Sequence, residues 1–276
     1  MQSLTPTFWR FDPVFIGGLL TVALIYMLTV GPLRHRLAPN SSFPTWRAVA
    51  FCSALLVFFL AEASPLHDIA ELYLFSAHMF QHLLLGYVVS LLLLVGLPDY
   101  VLRILVLNRL IKPIATILSK PVTAAVIYTI VFSAWHFPAI YEAQLRSEVL
   151  HSGEHLIFIA ASMIAAWQLT SPLPELPRLS NVGQILYLTA LPFGQFLVTA
   201  LLTFSQSPIY ETYAASPKLF GLTTVGDQQL GGILMKVAGF LIYGIPLILA
   251  FFRWHREENP VRRMTSRQKL KTTRDS

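Results

Sequence analysis

The chain has 276 residues, of which 55% are hydrophobic and only 12% are charged. A soluble domain usually carries about 25% charged residues, so this chain cannot cover a soluble surface with polar groups. The composition therefore excludes an ordinary soluble protein and predicts that the apolar excess faces lipid. The single cysteine, Cys52, excludes an intrachain disulfide and a thiolate metal cluster. No segment indicates nucleic-acid binding.

Seven stretches are long and apolar enough to cross a membrane as helices, since a transmembrane helix needs roughly 20 mostly apolar residues. None of them alternates between apolar and polar residues like a strand of a membrane barrel. In chain order they are residues 14–33, 46–62, 72–97, 122–141, 151–169, 183–204 and 229–252. The sequence therefore predicts an all-α, polytopic membrane protein. Its single seven-helix domain covers residues 14–252, between an N-terminal tail (1–13) and a basic C-terminal tail (253–276).

The distribution of lysine and arginine predicts the orientation of this bundle, because cytoplasmic segments carry an excess of both. Most of them lie in the C-terminal tail and in the connections after the first, third and fifth spans. The opposite side holds only Arg10, Arg146 and Lys218. We therefore expect an outer N-terminus and a cytoplasmic C-terminal tail. The tail is expected to act as a stop-transfer segment or to bind anionic membrane lipid.

Histidine is the informative residue type within the spans, because each ionisable side chain in a membrane is costly and needs a reason. At a rise of about 1.5 Å per residue, the orientation places five histidines within about 15 Å of the outer surface. They are His78, His82, His136, His151 and His155. His78 and His82 are four residues apart, as are His151 and His155, so each pair shares one helix face. Neutral imidazole is the commonest metal ligand and suits copper, zinc and iron, so we predict that these five residues bind metal.

Other polar residues at similar heights could orient the imidazoles through hydrogen bonds or add a ligand. They are Gln81, Glu154, Asp227 and Gln228, with Met79 as a soft thioether ligand for Cu(I). Asp227 could instead only cap the seventh helix. His67, in the loop before the third span, is either solvated or part of the same layer. Lys236 either snorkels, pairs with Glu62 or Glu154, or faces a wet cavity.

Four strings in the chain resemble the caa3-type cytochrome c oxidase assembly factor (CtaG) family. They are AHMFQHLL at 77–84, WHFPAIY at 135–141, HSGEH at 151–155 and DQQLGG at 227–232. The resemblance implies a bacterial inner-membrane protein that supplies or inserts copper during maturation of a haem–copper oxidase. An oxidase subunit or another assembly factor would be its partner. Lys236 and the string WQL at 167–169 depart from the family's pattern and leave the identity of the oxidase open.

Three alternatives belong to other functional classes. The string HSGEH matches H-x-x-E-H, in which Glu154 would be the general base of an intramembrane metal hydrolase. Histidine pairs on neighbouring helices could instead bind haem as axial ligands. Ion transport would need polar groups in the inner halves of the third to fifth spans, which offer few. We expect a non-enzymatic protein that binds copper, with zinc or haem as other ligands. Five imidazoles exceed what one Cu(I) ion needs, so two ions or a relay would fit them.

Overall fold

A computed structural model describes residues 9–39 and 42–258 of the chain. These residues form helices and connecting segments, with no strand among them, which confirms the predicted all-α fold. The first part of the predicted N-terminal tail (1–8) and the basic tail from residue 259 onward lie outside the described residues.

Fourteen α-helices follow one another in the described part of the chain, and a π-helical segment, Leu84–Val89, joins two of them. They are α1 (Pro13–Val30), α2 (Arg34–Leu37), α3 (Thr45–Ala63), α4 (Pro65–Leu72), α5 (Phe75–Leu83), α6 (Ser90–Gly96), α7 (Asp99–Val106), α8 (Lys112–Leu118), α9 (Pro121–Trp135), α10 (Pro138–Leu145), α11 (Glu148–Thr170), α12 (Asn181–Phe204), α13 (Glu211–Ala215) and α14 (Thr224–Glu258).

Six stretches among the described residues are long and apolar enough to cross a membrane. They are α1, α3, the continuous stretch Phe75–Gly96, α11, α12 and α14. A seventh arises if α8 and α9, which are bent by 81° at their junction, form one span. The chain is therefore a multi-pass membrane protein with six or seven spans, where the sequence predicts seven.

The fourth predicted span, 122–141, is not one helix. Helix α9 ends at Trp135, and α10 begins at Pro138. A residue that precedes proline is disfavoured in the helical region, and Phe137 has the extended ψ of 127°. The proline then occupies the first turn of α10, where its missing N–H costs nothing. The break leaves His136 directly after the last residue of α9, rather than placing it inside a span.

Two glycines let α14 approach its neighbours closely. A Cβ atom on Gly231 would lie 2.5 Å from the Phe75 ring of α5, and one on Gly232 would lie 2.4 Å from Thr203 of α12. Any larger residue would force these helices apart. The glycines therefore bring α5, with its histidines, against α14.

One end of the bundle collects the starts of α5, α11 and α14 and the ends of α3, α9 and α12, and we call it the histidine end. Tyrosines from the segment between α12 and α14 hold it together. The Tyr210 hydroxyl donates to the carbonyl oxygen of His136 (2.9 Å), and the Tyr213 hydroxyl donates to that of Ala70 (2.7 Å). The histidine end is therefore hydrogen-bonded across several helices.

Candidate metal centre

Four buried side chains converge at the histidine end, and we call them the central group. They are His78 and His82 of α5 and Glu154 and His155 of α11. Each offers one ligand atom, and these atoms all lie within 4.8 Å of one another. The Nε2 atoms of His78 and His82 are 2.9 Å apart. Two nitrogens bound at about 2.0–2.1 Å to one ion, at an angle of roughly 90°, would have this separation.

Many polar atoms of the central group have no hydrogen-bond partner within the described residues. These atoms are both oxygens of Glu154, Nε2 of His155, and Nδ1 of His78 and of His82. Native proteins leave few buried polar atoms unpaired, because removing them from water without compensation is costly. A cation that binds the two Nε2 atoms would satisfy the Glu154 carboxylate and one nitrogen of His155. It would not satisfy Nδ1 of His78 or of His82, because one imidazole cannot bind the same ion through both ring nitrogens. The donor set of imidazoles and one carboxylate therefore fits a metal ion such as copper or zinc.

A second group, which we call the α4 group, lies beside the first and consists of His67, Glu71 and His151. The Oε1 atom of Glu71 is 3.3 Å from Nε2 of His67 and 3.2 Å from Nε2 of His151. The Arg10 guanidinium lies 3.6 Å from the other carboxylate oxygen. Burial raises the pKa of Glu71, but the neighbouring imidazoles and Arg10 outweigh it and lower the pKa below its usual value. Glu71 therefore places an anion between two imidazoles.

Glu62, at the end of α3, links the two groups. Its Oε1 is 2.7 Å from Nδ1 of His155 in the central group, and its Oε2 is 3.6 Å from Nδ1 of His67 in the α4 group. The rings of His151 and His155 are also adjacent, with centroids 4.3 Å apart. The two groups therefore form one continuous polar layer.

Sequence reasoning missed Glu71 and treated Glu62 only as a partner for Lys236. A signal for Glu71 was present, because Ser64 followed by Pro65 is a typical helix start. The Ser64 hydroxyl accepts from the Leu66 N–H (3.3 Å) as α4 begins. On a helix, His67 and Glu71 are four residues apart and share a face.

Glutamine side chains orient two of the imidazoles. The Nε2 of Gln81 donates to the Ala61 carbonyl and to Nδ1 of His67, at 3.0 Å each. Gln81 was predicted to orient an imidazole, and the one it contacts is in the α4 group. Gln144 of α10, which the sequence did not point to, accepts through Oε1 from Nδ1 of His151. This bond leaves Nε2 of His151 to face Glu71.

His136 lies apart from the other four predicted ligands. Its ring centroid is 6.4 Å from that of His82, and its nitrogens belong to neither group of converging ligand atoms. Nδ1 donates to the Phe132 carbonyl (2.6 Å), while Nε2 lies 3.3 Å from the sulfur of Met79. The five predicted ligands are thus divided over three places.

Asp227 and Gln228 act on the backbone, and neither has a hydrogen bond to an imidazole among the described residues. The Asp227 carboxylate accepts from the N–H groups of Phe75 (2.7 Å) and Ser76 (3.2 Å) and from the Ser76 hydroxyl. It therefore caps α5, whereas the sequence suggested a cap of its own helix. The Oε1 of Gln228 accepts from the Ile209 N–H (2.7 Å). Both residues support the loops around the histidine end.

Lys236 forms no ion pair with Glu62 or Glu154, the two carboxylate partners that the sequence suggested. Its Nζ lies 4.6 Å from the centroid of the Phe196 ring, in a cation–π contact between α14 and α12. It also lines a cavity of about 410 Å³ between these two helices. Glu62 and Glu154 instead lie beside histidines.

Residues 24–257 match the family model described as cytochrome c oxidase caa3 assembly factor (CtaG). The chain belongs to this family. The matched range contains the central group, the α4 group, His136 and Met79.

The chain is also similar to longer mycobacterial proteins. It is 25% identical to an uncharacterised protein of Mycobacterium bovis, over 95% of this chain and 41% of that protein. It is 24% identical to an uncharacterised protein of Mycobacterium leprae, over 92% of this chain and 40% of that protein. The chain thus spans about two fifths of the length of these curated relatives. No solved structure matches it.

Proposed function

We propose that this CtaG-family chain binds copper at the histidine end and supplies or inserts it into a haem–copper cytochrome c oxidase. Family membership supports the assembly role. The unpaired buried atoms of the central group support the metal-binding role and carry the proposal. Imidazole ligands suit copper, and they avoid thiols, which oxidise outside the cytoplasm.

The charge distribution of the loops supports placing the histidine end at the outer side of a bacterial inner membrane. An ion delivered to a partner must also leave its site by ligand exchange. The α4 group is the more accessible part of the polar layer, since the Glu71 side chain is 17% exposed and the Glu154 side chain is completely buried. Copper would therefore pass between the surface and the central group by way of the α4 group, with Glu62 between them.

The geometry favours a carrier over a hydrolase. In the H-x-x-E-H pattern, both histidines bind one ion and the glutamate acts as the base. Here His155 belongs to the central group and His151 to the α4 group, while Glu154 lies among the ligand atoms. The cavity that touches His82 and His136 has a volume of about 10 Å³, which is too small for a porphyrin. We therefore propose a non-enzymatic role without haem.

A metal count tests the proposed site. The full chain would be purified in mild detergent, loaded with copper or with zinc, and compared with the double variant His82→Ala/His155→Ala. We expect bound metal in the unchanged protein and a reduced stoichiometry in the variant, because two imidazoles of the central group are lost. The matched control, His35→Ala/His255→Ala, removes two histidines on the opposite side and should keep the full stoichiometry. Absence of metal from the unchanged protein, or an unaltered count in the His82/His155 variant, would refute the site.

A separate experiment in a deletion strain tests the assembly role. Oxidase activity and oxidase copper content would be measured in a deletion strain, with and without a restored gene. We expect low copper content that the unchanged gene restores and the His82→Ala/His155→Ala gene does not. Normal copper content in the deletion strain would refute the assembly role, but it would not refute the metal site.

A further inference from the structure

A hydrogen bond from the His136 ring determines which of its two nitrogens has a free lone pair. Its side chain is buried, with the residue only 6% exposed, and Nδ1 lies 2.6 Å from the Phe132 carbonyl oxygen. The carbonyl can only accept, so Nδ1 carries the proton. In a neutral imidazole the other nitrogen, Nε2, then has a lone pair and no hydrogen. Histidines that bind metals are commonly fixed in this way by a hydrogen bond from their other nitrogen.

The lone pair of His136 points at another lone-pair donor, since Nε2 lies 3.3 Å from the sulfur of Met79. Two such atoms do not form a hydrogen bond, and protonating Nε2 would place a charge in a buried position. A cation that accepts both lone pairs removes the conflict. Bonds of about 2.0–2.1 Å to nitrogen and about 2.3 Å to sulfur, at an angle of roughly 100°, reproduce the observed separation.

A small cavity adjoins this pair of atoms. Its volume is about 10 Å³, which is the space of roughly one water-sized sphere. Two thioethers, two imidazoles and two aromatic rings are among the groups that line it: Met79, Met235, His82, His136, Phe132 and Phe158. His82 also belongs to the central group, so the cavity and the central group share one wall.

The donors around the cavity differ in kind from those of the central group. Thioethers are soft ligands that select Cu(I), whereas the imidazole and carboxylate donors of the central group also suit Cu(II) and Zn(II). We infer that His136, Met79 and Met235 form a separate Cu(I) site beside the central group, with which it shares His82. The inference rests on the proposed function in taking copper as the cargo. Binding releases no proton, because Nε2 of His136 is already deprotonated, and copper stays Cu(I) throughout.

The test separates soft from borderline metals, using Ag(I) as a redox-inert probe for Cu(I). The full chain in detergent would first be saturated with Zn(II), which fills the central group, and then titrated with Ag(I). We expect Zn-saturated protein to bind one further Ag(I) ion. The variant Met79→Leu/Met235→Leu nearly conserves side-chain volume, so the fold should persist. It should bind Ag(I) more weakly by at least the roughly 10- to 100-fold that loss of an outer-shell partner costs, because two direct ligands are lost, and it should keep its full Zn(II) stoichiometry.

A matched control variant and a second measurement distinguish the loss of a metal ligand from misfolding. The variant Met27→Leu/Met163→Leu replaces two methionines outside the cavity and should bind both metals like the unchanged protein. X-ray absorption of the Cu(I)-loaded, Zn-saturated unchanged protein should show sulfur neighbours at about 2.3 Å.

The outcomes distinguish the soft site from the central site. Zinc binding without additional Ag(I), or copper spectra without sulfur, would overturn the soft site and leave the proposed function intact. Ag(I) binding that depends on Met79 and Met235, in a protein that binds neither zinc nor copper at the central group, would overturn the central site and leave the soft site standing. A protein that binds none of these metals would overturn both.

Discussion

Glu154 lies in a helix that crosses the membrane, and its carboxylate is completely buried. Its nearest histidine nitrogen, Nε2 of His82, is 3.5 Å away, and neither carboxylate oxygen has a hydrogen-bond partner within the described residues. Retaining a charge under these conditions destabilises a protein unless a partner neutralises it. The stability of the metal-free protein and its affinity for metal should therefore respond in opposite directions to removal of this carboxyl group.

We predict that Glu154→Gln leaves the melting temperature of the metal-free protein equal or raises it, because a buried carboxyl group without a hydrogen-bond partner among the described residues is removed. The rise in melting temperature on adding copper or zinc should become smaller, since one ligand is lost and binding stabilises only the folded state. Thermal unfolding in detergent, with and without metal, measures both effects. Glu148→Gln, an exposed position on the same helix, is the control and should change neither. An unaltered metal-induced rise in Glu154→Gln would rule out this carboxylate as a ligand.

Sequence spacing predicts which histidines share a helix face, but not which atoms meet. The interval of four residues correctly pairs His78 with His82, and both lie in the central group. The same interval pairs His151 with His155, yet their ligand atoms fall into different groups. This division depends on how each helix is rotated and on Gln144, which fixes the His151 ring. Neither factor can be read from one sequence.

At the scale of helices, α14 positions α5 through the Asp227 carboxylate. Asp227 accepts from the free N–H groups of Phe75 and Ser76 at the start of α5, three residues before His78. Gly231, one turn later on α14, permits the close approach that this contact needs. The placement of His78 and His82 therefore depends on a residue from the last span.

We predict that Asp227→Ala lowers the free energy of unfolding by about 1–3 kcal/mol, since buried N–H groups lose their acceptor. Metal affinity should fall as well, because α5 is displaced, although Asp227 has no hydrogen bond to an imidazole among the described residues. Asp227→Asn keeps one acceptor oxygen and should recover part of both losses. Unfolding in detergent and metal titration would be measured together.

Asp12→Ala is the control for this prediction. Asp12 caps α1 by accepting from the Phe15 N–H at 2.8 Å, in an exposed position. Its loss should not change metal affinity. If Asp227→Ala binds metal like the unchanged protein, the cap does not position the histidines.

The elements that sequence reasoning predicts least well are those that end or bend within the membrane. The fourth span stops at Trp135 because of Pro138, a signal that was visible but was included in a longer apolar stretch. The break gives His136 its bond to Phe132 and its separation from the other histidines. The π-helical segment Leu84–Val89 has no comparable signal in an unbroken run of apolar residues.

At the scale of the whole molecule, composition and hydropathy were sufficient to predict a helical membrane bundle, because the apolar excess leaves few other folds. Orientation rests on the loop charges alone. The structure adds that the polar layer occupies one end of this bundle. The side of the membrane that this end faces decides whether the metal site meets the periplasm or the cytoplasm.

We predict that the histidine end faces outward. In a Cys52→Ser background, Gln206→Cys introduces an exposed thiol at the histidine end, and Arg109→Cys introduces one at the opposite end. A thiol reagent that cannot cross the membrane should label Gln206→Cys in intact cells and Arg109→Cys only after lysis. The reverse pattern would place the site in the cytoplasm and contradict delivery from the outer side.

The π-helical segment Leu84–Val89 has a consequence for how the length of this chain can vary. Each residue added to or removed from a helix turns everything on one side of the change by about 100° relative to the other side. The segment begins two residues after His82, and Tyr87 within it bonds to Tyr128 and Tyr243 in the middle of the bundle. Deleting one residue here would rotate the histidines away from α11 while the tyrosines kept their places. The number of residues between His82 and Tyr87 therefore determines which way the α5 histidines face, so this interval should not tolerate insertions or deletions.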